Sequence, residues 1–262
     1  MATAYEKIAG GLRARIRAGE LAPGDKLPSE ATLVKESGKS GPTVQRALSV
    51  LQEEGLIEKR HGIGNFVRKP RTKALRDNCR HQWEKDRARE SVELRKQTGA
   101  TEHDTGLEID DLVFYASYRK TKATAELAEV FGLPEGTPLL KRTYRTRYAA
   151  ETAPFNLVTS HLVHSMVEGN ADLLDDANEP WPGGTQNQLH TVGIELDRIE
   201  ERVTARPPTP EETEELELLP GTSVIVLRKI SYDIKDRVVD VSDITLPGDR
   251  TELLFTTRLE RW

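Results

Sequence analysis

The sequence predicts an α+β protein in two parts: a small helical head closed by a hairpin, then an antiparallel sheet carrying helices on one face. Three observations lead there. The chain has 262 residues, and at roughly 100 to 200 residues per domain this favours two domains. Its charge changes sign along its length: residues 1–76 hold 15 Lys and Arg against 8 Asp and Glu, or +7, which leaves −12 for the rest of a chain whose net charge is −5. Such asymmetry marks a basic module joined to an acidic one, and attraction to phosphate follows local charge, not the average. Finally, the acidic part contains an internal echo, described below.

Composition excludes several classes. With 36% hydrophobic and 31% charged residues and a mean hydropathy of −0.58, there is enough apolar material for real cores and too little for a membrane protein. No apolar run approaches the ~20 residues of a membrane helix. The N-terminal MATAYEKIAGGLRAR lacks the basic, apolar and small-residue succession of an export signal, so the chain is expected in the cytoplasm. A single cysteine, Cys79, excludes an intramolecular disulfide and a multi-cysteine zinc site. No cofactor and no metal are expected.

Tyr5, Ile8, Leu12 and Ile16 recur at spacings of three and four, the stripe of an amphipathic helix ending near Gly19. The connector PGDKLPSE cannot continue it, and its Ser29 can cap a second helix over about Glu30 to Ser37, stopped by Gly38. A third helix, about Gly41 to Glu54, presents Val44, Leu48 and Leu51. Two short strands follow, Leu56 to Arg60 and Asn65 to Arg68, joined by a tight turn that Gly62 and Gly64 allow. This is a winged helix-turn-helix over residues 1–70. Residues 71–110 are densely charged with little periodicity and read as a linker capable of partial helix. In the third part, 111–262, FGLPEGTPLLKRTYRTRYAAETAPFNLV is echoed by LELLPGTSVIVLRKISYDIKDRVVDVS, with Gly136 and Gly221 in matching places. Thr209, Pro210 and Glu212 form a capping box before the second copy. Two copies of helix, turn, strand and strand predict a sheet with approximate internal two-fold symmetry.

Within the head, I-R-x-G-x-L-x-P-G-x-x-L-P-S-E, then TVQRAL, L-x-x-E-G-L-I and G-x-G-x-F-V occur in order. This tract, Tyr5 to Val67, resembles the DNA-binding domain of the GntR family of bacterial transcription regulators. The acidic part, about Tyr115 to Arg261, with GLPEGTPLL, GGTQNQL and PGDRTELLF, resembles more loosely the UTRA ligand-binding domain of the HutC subgroup, a domain that shares the chorismate lyase fold. The resemblance implies a homodimeric regulator, expected to act as a repressor, that binds a near-palindromic double-stranded operator and is released by a small-molecule effector.

For the DNA contact, Ser40, Thr43 and Gln45 open the third helix, where hydroxyl and amide groups reach phosphates and base edges; Lys39 and Arg46 add charge. Ser29 and the wing residues Arg60, His61, Gly62 and Gly64 complete the set, Arg68 flanking it. Relatives commonly place arginines where this chain has Gly41, Gln45 and Ala31. The operator is therefore expected to differ from the usual one, with Gln45 favouring adenine over guanine.

On the strand LLKRTYRTRY, Lys141, Thr143, Arg145 and Arg147 share one face, and Leu140, Tyr144 and Tyr148 the other. Cations in a row require either an anionic ligand or the chain's own acids. The resemblance puts effector-binding cations on Arg145 and Arg147, with Thr185 and Asn187 from GGTQNQL. Three further polar positions of sugar-phosphate-binding relatives fall on Val158, Asp240 and Leu246. Two of the three are apolar here, which argues for a more apolar pocket. The alternatives are a chorismate-lyase-like enzyme fused to a DNA-binding head and an adaptor whose winged helix contacts protein. His161, His164 and His190 are scattered, and no catalytic triad, metal cluster or phosphate loop is apparent.

Overall fold

The computed structural model describes residues 3–260; Met1, Ala2, Arg261 and Trp262 lie outside the described residues. The chain divides into two units. The first comprises Met1–Arg71 with Pro207–Thr213 and Glu217–Thr222, and the second holds the rest.

In the first unit α1 (Ala4–Arg17), α2 (Glu30–Ser37) and α3 (Gly41–Glu53) precede the antiparallel strands β1 (Ile57–Arg60) and β2 (Gly64–Val67). Local signals, one of them the predicted Ser29 cap, explain these limits. Ser29 Oγ accepts from the Thr32 amide at 3.1 Å and starts α2, and Pro42 occupies the first turn of α3, where a missing N–H costs nothing. Leu12, Leu33, Val44, Leu48 and Leu51 meet in one core with Ile57 and Val67 of the hairpin, and Tyr5, Ile8 and Ile16 pack against it.

The second unit opens with β3 (Ala74–Asp77), α4 (Arg80–Arg87), α5 (Val92–Arg95) and α6 (Ala100–Thr105). The stretch expected as a linker is thus folded structure. β3 pairs in parallel with the last strand, β10 (Thr251–Leu254). Between them in the chain lie β4 (Leu112–Lys122), α7 (Ala125–Phe131), β5 (Pro138–Tyr148), β6 (Leu157–Val163), α8 (His164–Val167), α9 (Gly184–Thr191), β7 (Leu196–Arg206), α10 (Pro210–Glu215, its first four residues in the first unit), β8 (Val224–Asp233) and β9 (Val238–Pro247).

The six-stranded antiparallel sheet has the order β4-β5-β6-β9-β8-β7. Reversing this order exchanges β4-β5-β6 with β7-β8-β9, so the sequence echo is a two-fold echo in the sheet, with β6 and β9 at its centre. The matching glycines have φ of +81° and +84°, a conformation costly to a residue with a Cβ. The Thr209 hydroxyl accepts from the Glu212 amide while the Glu212 carboxylate accepts from the Thr209 amide, the predicted capping box. One expectation differs: helices lie on both faces. Consecutive Leu139 and Leu140 point to opposite sides. Leu139 joins Leu127, Phe131, Val163 and Val241 under α7, whereas Leu140 joins Leu162, Val167, Leu173 and Leu189 under α8 and α9. Among the described residues no helix is long and apolar enough to cross a membrane.

Candidate functional site

The first candidate surface is the exposed side of α3 and the wing. Ser40 precedes α3 in extended conformation, and its hydroxyl lies 2.9 Å from that of Thr43. Gln45 and Arg46 are exposed on the next turn, with Lys39 exposed just before the helix. Gln45 Nε2 donates to Glu30 Oε2 at 3.1 Å. The Arg46 guanidinium lies 5.8 Å from the centre of the Tyr5 ring and 3.4 Å from Glu53. Ser29 is committed to capping α2. At the wing, Gly62 and Gly64 have φ of +71° and +135° and turn the hairpin, which leaves Ile63 and His61 exposed at its tip. Arg60 stacks 4.3 Å from the Phe66 ring and pairs with Glu58 at 2.8 Å. The structure thus gathers Lys39, Ser40, Thr43, Gln45 and Arg46 at the start of one helix. Sequence reasoning missed Glu30 and Tyr5, whose partners are set by how the helices pack.

The second candidate is a cavity of about 510 Å³ in the second unit. Its floor is one face of the sheet: Phe114, Tyr144, Thr146, Val158, Ser160, Lys229, Ser242 and Ile244. The segment β3–α6 supplies the opposite wall through Arg76, Arg80, His81, Trp83, Glu84 and Asp104; Glu179, Trp181 and Thr185 close a side. A mainly apolar body with a few polar groups is the usual make-up of a small-molecule site.

Ion pairs hold this enclosure. Arg76 meets Glu201 at 2.7 Å, and Arg80 pairs with Asp104 and, at 3.3 Å, with Glu84. Burial alone would raise the Glu201 carboxyl, but hydrogen bonding to His81 and the charge of Arg76 bring it down to about 2. Glu84 is likewise drawn below the usual range: burial opposes its charge, but Arg80 and His81 outweigh burial. Beside Glu179, burial pushes the Tyr118 hydroxyl up to about 12 and Tyr144 well above its ordinary value. Both stay protonated and donate to Glu179, Tyr144 at 3.1 Å.

A second network adjoins the floor through Ser160, Ser242 and Lys229. Arg142 donates to Gln188 Oε1 at 2.6 Å and Ser160 Oγ at 2.7 Å, and sits 3.6 Å from Asp240. Asp240 accepts from Ser160 at 2.6 Å and from Ser242 at 3.0 Å, with Lys229 Nζ at 3.2 Å.

Four of the expected effector residues, Arg145, Arg147, Asn187 and Asp240, do not line this cavity. Because Tyr144 and Thr146 face the cavity, strand alternation sends Arg145 and Arg147 to the opposite face. There Arg145 pairs with Glu215, and Arg147 donates to the carbonyls of Tyr148, Ala149 and Glu151. Arg145 and Arg147 are thus met by the chain's own acceptors. Asn187 is buried, accepts from Trp181 Nε1 at 2.8 Å and donates to the Ala88 carbonyl at 2.7 Å, so it fixes the wall without lining it. Asp240 shares the face of Ser242 and Ile244 but is fully buried and does not line the cavity. Thr185 does line the cavity, as does Val158, while Leu246 packs in an apolar cluster with Leu227 and Ile244. Arg142 was missed, although its register with Leu140 and Tyr144 already demanded a buried acid.

Arg145→Ala is expected to cost less than about 1 kcal/mol in urea unfolding, because a partly exposed pair gains little in high dielectric. A larger loss would return Arg145 to a central role.

Comparison with known proteins gives concordant results. Residues 4–67 match the family "Bacterial regulatory proteins, gntR family", and residues 115–252 match the UTRA domain. The chain is 28% identical over 245 residues to an HTH-type transcriptional regulator of Streptomyces coelicolor, covering 90% of this chain and 86% of the other. It is 26% identical over 248 residues to the HTH-type transcriptional repressor NagR of Bacillus subtilis, covering 94% and 91%. A solved GntR-family transcriptional regulator superposes with a TM-score of 0.63 at 25% identity, covering 98% of each chain.

Proposed function

This chain belongs to the GntR family of bacterial regulatory proteins and carries a UTRA domain, and from that premise we propose that it is a repressor whose paired heads hold a near-palindromic operator until a small molecule enters the cavity. It is a DNA-binding transcription regulator, not an enzyme, as its full-length relatives are regulators. The observation that carries the reading is the exposed start of α3, with hydroxyls, an amide and cations on a head of positive charge. A helix of this kind fits the major groove, and a two-fold protein implies a two-fold site. Contacts to DNA are assigned to Lys39, Ser40, Thr43, Gln45 and Arg46 of the helix and to Arg60, His61, Gly62 and Gly64 of the wing. Such a regulator works in the cytoplasm, on the chromosome.

For the effector, the supporting observation is that one segment serves two purposes. Residues 72–110 follow the head in the chain and also form the wall of the cavity. A ligand that alters the packing of α4 and α6 therefore alters where the chain leaves for the head. Release of DNA then requires that the ligand bind the DNA-free arrangement more tightly, tenfold for each ~1.4 kcal/mol of coupling.

The test is salt dependence. Operator affinity plotted against salt on logarithmic axes should fall steeply, and Lys39→Ala or Arg46→Ala should each flatten the slope by about 0.9 if it removes one phosphate contact. An adaptor acting through protein contacts would show no such slope. A thermal-shift ligand screen on the full chain, followed by operator release with each hit, tests the effector arm.

A further inference from the structure

We propose that Glu30 is a specificity-determining positioning residue that fixes which way the Gln45 amide faces the operator, an inference that rests on the regulator reading above. The two side chains come from different helices. Glu30 is the first residue of α2, its position pinned by the Ser29 cap, where the Ser29 hydroxyl also lies 2.8 Å from that of Thr32. Gln45 lies on the exposed side of α3, and its Nε2 donates to Glu30 Oε2 at 3.1 Å.

A free glutamine amide interchanges its oxygen and nitrogen ends by rotation and presents either to a base. The carboxylate only accepts, so it holds the nitrogen end. One N–H is then committed to Glu30, and the second N–H and Oε1 are left for a ligand. That remaining pair, one donor and one acceptor, complements adenine in the major groove, which offers N6–H as donor and N7 as acceptor. Guanine offers two acceptors, O6 and N7, and meets the fixed oxygen with repulsion. Arg46, the neighbouring cation, lies 5.8 Å from the Tyr5 ring and 3.4 Å from Glu53 and is assigned a phosphate, not a base. Reading a base by an oriented amide, where relatives commonly use a guanidinium, gives this chain a different operator letter at that position.

The experiment selects binding sites for the full-length protein from randomised duplexes, then measures competition between adenine and guanine at the position that Gln45→Ala renders indifferent. The wild type is expected to prefer adenine by about tenfold or more, the scale of one good bidentate contact. Glu30→Ala should cut that ratio to about twofold, since the amide then turns freely. Glu30→Gln should fall between the two, because its amide accepts from Nε2 in one orientation and donates to Gln45 Oε1 in the other. Adding Glu30→Ala to Gln45→Ala should change the ratio no further.

A carboxylate that acted only by repelling phosphates would behave otherwise: both Glu30 variants would bind every duplex more tightly and leave the ratio alone. An unchanged ratio in Glu30→Ala, or a full wild-type ratio in Glu30→Gln, overturns the proposal. A wild type that selects no sequence overturns the regulator reading and this one together, whereas one that selects sites without help from Glu30 overturns this one alone.

Discussion

Arg142→Met is expected to lower the stability of the second unit by about 3–5 kcal/mol, because removing one member of a buried ion pair leaves the other charge uncompensated. Arg142 is 1% exposed and Asp240 fully buried. Without the guanidinium, Gln188 Oε1 and Ser160 lose donors at 2.6 and 2.7 Å. Lys229 remains 3.2 Å from Asp240, which keeps the loss toward the lower end. Urea unfolding of the full chain, followed by a probe in the second unit, reads the effect. A loss below about 1 kcal/mol would show that the pair is not buried in solution, since that is the range of exposed pairs. Replacing both partners with apolar residues should recover only part of the loss, because Lys229, 3.2 Å from Asp240, then loses its own partner.

The same pair sets an acid limit. Burial pushes the Asp240 carboxyl up, but Lys229 and Arg142, with hydrogen bonds from Ser160 and Ser242, more than offset it and hold the group below its ordinary 3.8. A group whose folded pKa is depressed contributes stability that is fully present above its unfolded value and lost as pH falls through the folded value. Wild-type stability should therefore decline below about pH 4 with a contribution from Asp240, and Arg142→Met should show a shallower decline over that range.

Leu51→Ala is expected to cost the head about 2–5 kcal/mol and to abolish operator binding while the second unit stays folded. Leu51 is fully buried on α3 among Leu12, Leu33, Leu48 and Ile57. The loss combines the transfer of the removed methyl groups with the cavity they leave. A domain this small buries a modest share of its surface, so a loss of this size consumes much of its stability. The expected readout is a split melting curve, with an early transition for the head and an unchanged late one, and loss of gel-shift activity. Undiminished operator affinity together with a single unshifted transition would show that α3 is not anchored through Leu51.

The contrast between these two sites shows where sequence reasoning reaches. Leu51 was legible: its spacing from Val44 and Leu48 defines one side of a helix, and Ser29 and Gly38 bound the helix before it through contacts only a few residues long. The internal echo was legible for the same reason, since its turns depend on glycines whose backbone angles are local. The network around Arg142 was half legible. Alternation divided the side chains of β5 into two sets, but not which set faces the cavity, and the cations on the wrong set drew attention.

Local chemistry, acting through caps, turns and periodicity, was sufficient to define the helical head, the doubled strand pattern and the family of the chain. The tertiary structure alone decided that residues 71–110 fold into a cavity wall and that Tyr144, not Arg145, looks into the cavity. The reason is distance along the chain. Arg76 is buried because Glu201 meets it at 2.7 Å, a partner 125 residues away, and a charge whose partner lies that far off reads in sequence as a solvated one.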